Sequence, residues 1–541
     1  MARGKHAPRV SSGFYLGGQQ AEADPLLEDA FYETTQYKAI SSRDDHRCFI
    51  IGRTGSGKSA ILRRLELQYP EHVIRITPED LSLTYVADLQ SIRWLSAEGV
   101  HLDPLFIALW KHVLLVEIIR HRYQVDSPTA KQNFLANLAD RIKRDKSKVE
   151  ALKYLDEFQG KFWCEADERV REIADRFETQ IQSEAGVEAK GLRGGITQGS
   201  TKITENKSEI VARYQRIVNE TQLPRLNQMI KVLDEDILDS KQNFTFVVID
   251  DLDQDWVDDS VTNALIRCLF RAVLDLQRVQ NLKVIVALRT NIFEALDFGR
   301  RTGGQEEKFR ALSMRIQWSA ADLEAMLNER AKAAGLRVGI ALRGIRDLLP
   351  STNKTRGDAL EFILRRTLMR PRDVIAYLNE CLEGTAGKPR ITWDRIHDAE
   401  SAYSRNRRLA LRDEWKPTFP GIDEVFSIFE GKGRKLTPDQ MGLILDDIAM
   451  LTADHDFIGT DWLGKLTSEI WNPKQGTWSD KYKSLVGLLF DIGFIGCIHN
   501  GHPPVFSYQD PDHLDRPSKL SRVQFFLIHP AFHDALDLTY A

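Results

Sequence analysis

Residues 52 to 59 read GRTGSGKS and fit the pattern GxxxxGK[ST]. Residue types and spacing together define a chemistry. Gly55 and Gly57 let the main chain curl until its N–H groups converge, and a helix opening behind them adds the positive end of its dipole. Such a cradle suits phosphate. Lys58 follows where its ammonium reaches β- and γ-phosphates, and the Ser59 hydroxyl is placed to ligate Mg2+. The predicted nucleotide-binding residues are Gly52, Arg53, Thr54, Gly55, Ser56, Gly57, Lys58, Ser59 and Ala60. The same stretch also contains GxGxxA with Glu79 roughly twenty residues on, the pattern of a dinucleotide fold. That fold needs neither Lys-Ser nor a distant acidic strand end, and this chain has both.

The acidic strand end is FVVIDDLDQDW, residues 246 to 256, with four aspartates, Asp250, Asp251, Asp253 and Asp255. Asp250 is expected to hold Mg2+ through water and Asp251 to orient the attacking water. Strand alternation would send the two to opposite faces, but Asp251 stands where strand gives way to loop. A bound divalent cation would offset repulsion among these charges; ordinary solvated acids are the plain alternative. Asp253 and Asp255 stay open between orienting the site and capping the helix expected near Asp258 and Asp259.

Three further sets of cations could read the phosphates. Arg289, after the run KVIVAL, is the expected γ-phosphate sensor, with Asn291 second, because that strand end should lie beside the aspartate strand. In MRPRDVI, residues 369 to 375, Pro371 suits a first helical position, and Arg370 and Arg372 flank it. Cations there oppose the helix dipole by up to about 1 kcal/mol, which an anionic partner would explain. Arg372 is the expected second sensor; otherwise it pairs with Asp373 or Glu361. Arg310 and Arg315 are weaker candidates for reaching toward a neighbouring subunit.

The elements that must position these groups follow from patterning. Strands are expected at 47–52, 72–77, 244–249, 283–288 and 314–318, short β-branched runs alternating with helical stretches, hence a parallel α/β sheet. The gap between the second and third far exceeds a simple crossover and implies an inserted helical subdomain, with a Gly-, Ser- and Thr-rich loop or weak hairpin at 186–203. The apolar run from Leu105 to Ile119 is interrupted by Lys111, His112 and Glu117 and reads as a buried helix, too short for a membrane span. Beyond Asp322 the chain turns helical to about residue 412. Later, SDKYKSLVGLLFDIGFIG reads as an amphipathic helix, and Asn500-Gly501 signals a hairpin like the wing of a winged helix.

Composition narrows the class without naming a chemistry. The chain has 541 residues, 42% hydrophobic and 28% charged, with a formal net charge of −4, which argues for several domains and against a global nucleic-acid signature. Five scattered cysteines without CxxC spacing fit reduced thiols, and MARGKHAPRV lacks the apolar stretch of a signal peptide, so a cytoplasmic protein with no membrane partner is expected. A local basic face is conceivable at YSRNRRLALR, where Arg405, Arg407, Arg408 and Arg412 could touch DNA phosphates; the alternative pairs them with Glu400, Asp413 and Glu414. Cys497, His499, His502, His529 and His533 lack the pair-of-pairs pattern of a zinc site and read as packing or wing residues.

With these residues in hand a family resemblance emerges. GRTGSGKS, VVIDDLD, a strand ending ALRTN, and RPRD resemble bacterial P-loop ATPases of the KAP and STAND groupings within the AAA+ lineage. The AYSRNRR helix and the closing winged-helix-like region also resemble origin-recognition-type members. The resemblance reaches most of residues 14 to 541 and matches the long insertion weakly. It implies a Mg2+-dependent ATPase switch, often serving phage defence in bacteria, that works as a homo-oligomer or through a separate effector protein, or else a duplex-DNA-binding ATPase. It also places Phe31, Tyr32 and Tyr37 where similar proteins meet adenine, although core packing would explain them equally. The expected organisation is an N-terminal segment at 1–46 and a parallel-sheet P-loop NTPase core at 47–320 carrying a helical insertion at 83–240. A helical lid at 321–385, a linker helix at 386–420 and a C-terminal winged-helix-like domain at 421–541 complete it. ATP is expected between core and lid.

Overall fold

Short runs of Ile, Val and Phe lie side by side in a five-stranded sheet whose pairings are all parallel. The computed structural model describes residues 10, 13–76, 101–124, 128–142, 151, 153, 223–250, 252, 260–296, 306–352, 354–471 and 477–540. The chain divides into two units. Thr35–Arg53 and Ile61–Ile316 make one; Met1–Thr34, Thr54–Ala60 and Gln317–Ala541 make the other.

The first unit carries the sheet. Its elements are α1 (Thr35–Ser41), β1 (Phe49–Ile51), α2 (Lys58–Gln68, whose first residues belong to the other unit), β2 (Val73–Ile76), α3 (Asp103–Tyr123), α4 (Pro128–Ile142) and α5 (Leu223–Val232). There follow β3 (Thr245–Ile249), α6 (Ser260–Leu276), β4 (Leu282–Leu288), α7 (Thr290–Ala295), α8 (Glu306–Leu312) and β5 (Ser313–Arg315). Strand order is β2-β3-β4-β1-β5, so β4 separates the glycine-loop strand β1 from the aspartate strand β3. Every residue of β1, β3 and β4 is buried, as expected where helices cover both faces of a parallel sheet. Phe49 of β1 stacks on Phe270 of α6 with centroids 3.8 Å apart, fixing helix to sheet.

Helix α3 confirms the buried-helix expectation. Of its interior polar residues Lys111 is paired: its ammonium lies 2.6 Å from Asp275 and 2.9 Å from the Asn227 side-chain oxygen. A lone buried ammonium would be expensive; a paired one is tolerated. The fifth strand is shorter than expected and ends at Arg315. Residues 186–203 lie outside the described residues.

The second unit begins its regular structure with α9 (Ala320–Arg337), opened by a reciprocal capping box between Ser319 and Asp322. Then come α10 (Ala359–Leu364), α11 (Pro371–Glu383) and α12 (Trp393–Trp415). Leu323, Leu327, Ile363, Val374, Leu378 and Ile396 build their core, and Phe14, Leu16 and Leu26 from the start of the chain enter the same cluster. The last portion holds α13 (Ile422–Ser427), β6 (Lys435–Leu436), α14 (Pro438–Met450), α15 (Thr460–Trp471), α16 (Trp478–Asp491), β7 (Ile495–Ile498) and β8 (Phe525–Ile528). The antiparallel order β6-β8-β7 alongside these helices is winged-helix-like.

The expected Asn500-Gly501 hairpin is present in shortened form. Gly501 has φ +75°, as a turn requires, but the returning chain meets β7 at a single bridge, Cys497 to Val505. Pro503 and Pro504 have no N–H to extend that ladder, and on its other edge β7 pairs along its length with β8. Among the described residues no helix is long and apolar enough to cross a membrane.

Candidate functional site

Beyond β1 the chain runs through Gly52 and Arg53 into the loop, and α2 opens at Lys58. Gly55 (φ +78°) and Gly57 (φ +98°) adopt the left-handed conformation that costs other residues about 1–2 kcal/mol. Gly55 is constrained twice, because a Cβ there would stand 2.8 Å from the Arg372 Cβ. The Trp318 indole N–H donates to the Ser56 carbonyl at 2.8 Å, so Trp318, expected in the fifth strand, packs instead on the loop. The hydroxyls of Thr54 and Ser56 are buried and without hydrogen-bond partners. Lys58, nearly buried itself, lines a cleft with Gly55, Gly57, Ser59, Ala60 and Arg372. A lysine at a helix N-terminus, with two left-handed glycines and Arg372 lining the same cleft, fits an anion such as phosphate.

One wall of this cleft was not anticipated. Residues 18 to 27 line it, held by a buried ion pair in which Arg330 of α9 donates to Asp24 at 2.7 Å. Asp24 also accepts the Gly18 and Leu26 N–H groups, and Asn379 of α11 bonds Leu16 and Gly17. No local signal marks these residues, since their partners lie some three hundred positions away.

Arg372 stands on the loop. Its N–H faces the Gly55 carbonyl at 3.4 Å, and its guanidinium donates to the Gln19 carbonyl at 3.0 Å. The acids that might have neutralised it are committed elsewhere: Asp373 to Arg370 and Arg407, Glu361 to Arg365. Burial, then the neighbouring Arg370 charge, lower the Arg372 pKa, so an arriving anion is electrostatically favoured. Arg370 does different work. It is buried against Asp373 (3.1 Å) and Glu414 (3.0 Å), and although burial opposes its charge, these two carboxylates raise its pKa. Burial likewise opposes ionisation of Asp373, but Arg370 and Arg407 outweigh it and hold Asp373 at about 2.

The sheet unit gathers a second set. Ile249 pairs with Val286, which puts Asp250 level with Ala287, and Ile51 pairs with Leu288, which puts Gly52 level with Arg289. Asp250, Gly52 and Arg289 thus emerge at the carboxyl ends of three adjacent strands, with Arg289 on the middle one. Asp250 is buried, and Arg289 is the N-cap of α7, which contains Asn291. Asp251, Asp253, Asp255, Asp258 and Asp259 lie outside the described residues. Arg315 ends the edge strand β5 and Arg310 lies on α8.

Helix α12 carries the arginine run, with Arg405 exposed and bonded to the Ser401 hydroxyl at 3.0 Å and the others in ion pairs. Arg407 is buried in an ion pair with Asp373, Arg408 bonds Glu430 at 2.8 Å and Ser427, and Arg412 bonds Asp413 at 3.0 Å. Helical spacing distributes these arginines around the rod; acids of other elements take up Arg407 and Arg408, and Asp413 of the same helix takes up Arg412. Glu400 pairs with Arg366, not with this run. Tyr37 is buried with its hydroxyl on Gln68, and Tyr32 bonds Asp322 at 3.3 Å beside Trp318. Among the histidines, His499 bonds His513 at 2.8 Å, and His533 bonds the Ile528 carbonyl at 2.7 Å. Among the described residues no cluster of three metal-ligating side chains forms.

Residues 321–412 match the family described as the FunZ-associated C-terminal helical domain. A curated relative, "Putative transposon gamma-delta 80.3 kDa protein" of Escherichia coli (strain K12), is 22% identical over 551 aligned positions, covering 97% of this chain and 67% of the relative. Solved structures with similar overall coverage include the Aeropyrum pernix Orc1 protein in complex with DNA (12% identity, 93% of this chain and 90% of that one, TM-score 0.30). A Walker-type ATPase of Pyrococcus abyssi is another (11% identity, 91% and 96%, TM-score 0.37). At those scores the likenesses bear no weight, and the parallel strand order with its glycine loop defines a P-loop NTPase core by itself.

Proposed function

We propose that this chain binds and hydrolyses ATP. The observation that carries the proposal is the glycine-curled loop, whose Gly55, Gly57, buried Lys58 and Ser59 line one cleft together with Arg372. Lys58 and the loop N–H groups would bind the β- and γ-phosphates, Arg372 would approach the same anion, and Ser59 with Asp250 would hold Mg2+. Mg2+, when bound, neutralises developing charge on the phosphoryl oxygens. Asp251 would orient the attacking water and Arg289 would register the γ-phosphate. Calorimetric titration and phosphate release test this: Lys58→Ala should abolish binding, whereas Asp251→Asn should keep ATP and lose hydrolysis. Normal turnover in Asp251→Asn would remove that residue from the chemistry.

We further propose that hydrolysis times a molecular switch, a sensor or scaffold in phage defence that self-assembles or governs a separate effector. Support comes from the resemblance of its motifs to KAP and STAND ATPases. The lid at 321–385 and linker helix at 386–420 would carry the signal toward 421–541. The second reading, a duplex-DNA-binding ATPase, draws on the winged-helix-like C-terminal portion. ATPase activity with and without duplex DNA at several salt concentrations separates the two, since phosphate contacts weaken steeply with salt.

A further inference from the structure

Thr54 of the loop is gripped on both sides of its residue. Its N–H donates to the Glu414 carboxylate at 3.3 Å, and its carbonyl accepts from Arg370 at 2.8 Å. Arg370 and Glu414 bond each other at 3.0 Å, and both are buried. Three segments remote in sequence thereby meet at one residue: the loop, the residue before α11 and the last turn of α12.

The grip extends. Arg370 also bonds Asp373, whose other oxygen accepts from Arg407 one helical stretch back on α12. Farther along the same helix, Ser404 donates to the Ala531 carbonyl at 2.7 Å and accepts from the Ala535 N–H at 2.9 Å, while Arg408 bonds Glu430. One helix therefore holds the loop at its end and the C-terminal portion along its length.

A carboxylate beside a phosphate cradle repels phosphate unless a cation neutralises it, and Arg370 supplies that cation. The arrangement is useful where loop geometry must be set and where its disturbance must be felt elsewhere. We propose that Glu414 and Arg370 are positioning residues for the phosphate-binding loop, and that through Asp373 and Arg407 they make α12 respond to what the loop holds. This rests on the ATP reading above.

The test uses the full chain, ATP as the probe, and two readouts: amide hydrogen exchange and ATP titration with steady-state kinetics. In nucleotide-free protein, Glu414→Ala should speed exchange at Thr54 at least about tenfold, while Arg408→Gln on the same helix should not. Glu414→Ala should raise the Kd and KM for ATP about tenfold and leave kcat within about threefold; Glu414→Gln, which still accepts the N–H, should recover part of the loss. Arg370→Gln should impair binding more than Glu414→Ala, because it leaves the carboxylate unneutralised. ATP should alter exchange across residues 403–415 in the wild type and not in Glu414→Ala. If Glu414→Ala does not fold, Glu414→Asp, too short to span the gap, carries the same expectations. A wild type that binds ATP beside variants with unchanged loop exchange and KM overturns the clamp alone. A wild type that fails to bind ATP overturns the nucleotide reading, and the positioning role with it.

Discussion

Gly55 shows how closely single residues are constrained in this loop. Its left-handed φ and the proximity of Arg372 are independent demands, so Gly55→Ala should destabilise the second unit by at least about 1–2 kcal/mol and push Arg372 off the loop. Thermal unfolding checks the first effect and ATP titration the second. Arg372 itself makes its polar contacts to backbone carbonyl groups, without a carboxylate. Arg372→Ala should therefore leave stability nearly unchanged and lower kcat by about a hundredfold, the scale seen when one preorganised charge donor is removed from a reacting anion. Single-turnover phosphate release measures it; an unchanged rate would reduce Arg372 to packing. Residues 52 to 60 were legible because glycines, lysine and serine at that spacing are themselves the device. Thr54 was legible as a nucleotide-binding loop position, whereas its partner Glu414 was expected only as an acid for the arginines of its own helix.

At the scale of elements, the start of the chain belongs with helices α9 and α11. The Asp24–Arg330 pair is buried on both sides, with side chains 1% and 7% exposed, and Gly17 leaves it room: a Cβ there would lie 2.1 Å from the guanidinium. Breaking such a pair strands a buried charge, so Arg330→Met should cost about 3–5 kcal/mol, and adding Asp24→Leu should restore much of it. Denaturant unfolding decides, and equal stability of the single and double variants would show that the pair is not coupled. The winged-helix-like portion carries a pH dependence. Burial, with Arg434 and Arg366 adding to it, lowers the His533 pKa to about 4, against the partial opposition of its bond to Ile528. The unfolded chain takes up that proton near 6.5. His533 thus contributes stability that is complete above pH 6.5 and is lost as pH falls through about 4. His533→Gln should flatten that part of a melting-temperature profile. Strands β1 to β4 were legible from β-branched runs; β5 ends at Arg315, short of Trp318, whose indole bonds the Ser56 carbonyl, a contact no propensity reports.

For the whole molecule, the arginine run of α12 bears on the second reading. Arg407 is buried in an ion pair and Arg408 and Arg412 are paired with acids, which leaves Arg405 as the exposed arginine of the run without a carboxylate partner among the described residues. ATP turnover should be insensitive to duplex DNA between low and physiological salt, and ATP should instead change the sedimentation behaviour. Strong DNA stimulation that fades with salt would favour the second reading. By itself the sequence determined the phosphate loop, the strands on which Asp250 and Arg289 ride and the helical character of residues 322 to 412, because each is written in neighbouring residues whose spacing follows backbone geometry. Tertiary structure alone decided that Arg372 faces the loop while Arg370 and Arg407 are consumed by Asp373 and Glu414, and that residues 18 to 27 wall the cleft. Those outcomes depend on which charges meet after hundreds of intervening residues have folded, and a buried charge's role is set by the partner it meets and not by its place in the chain.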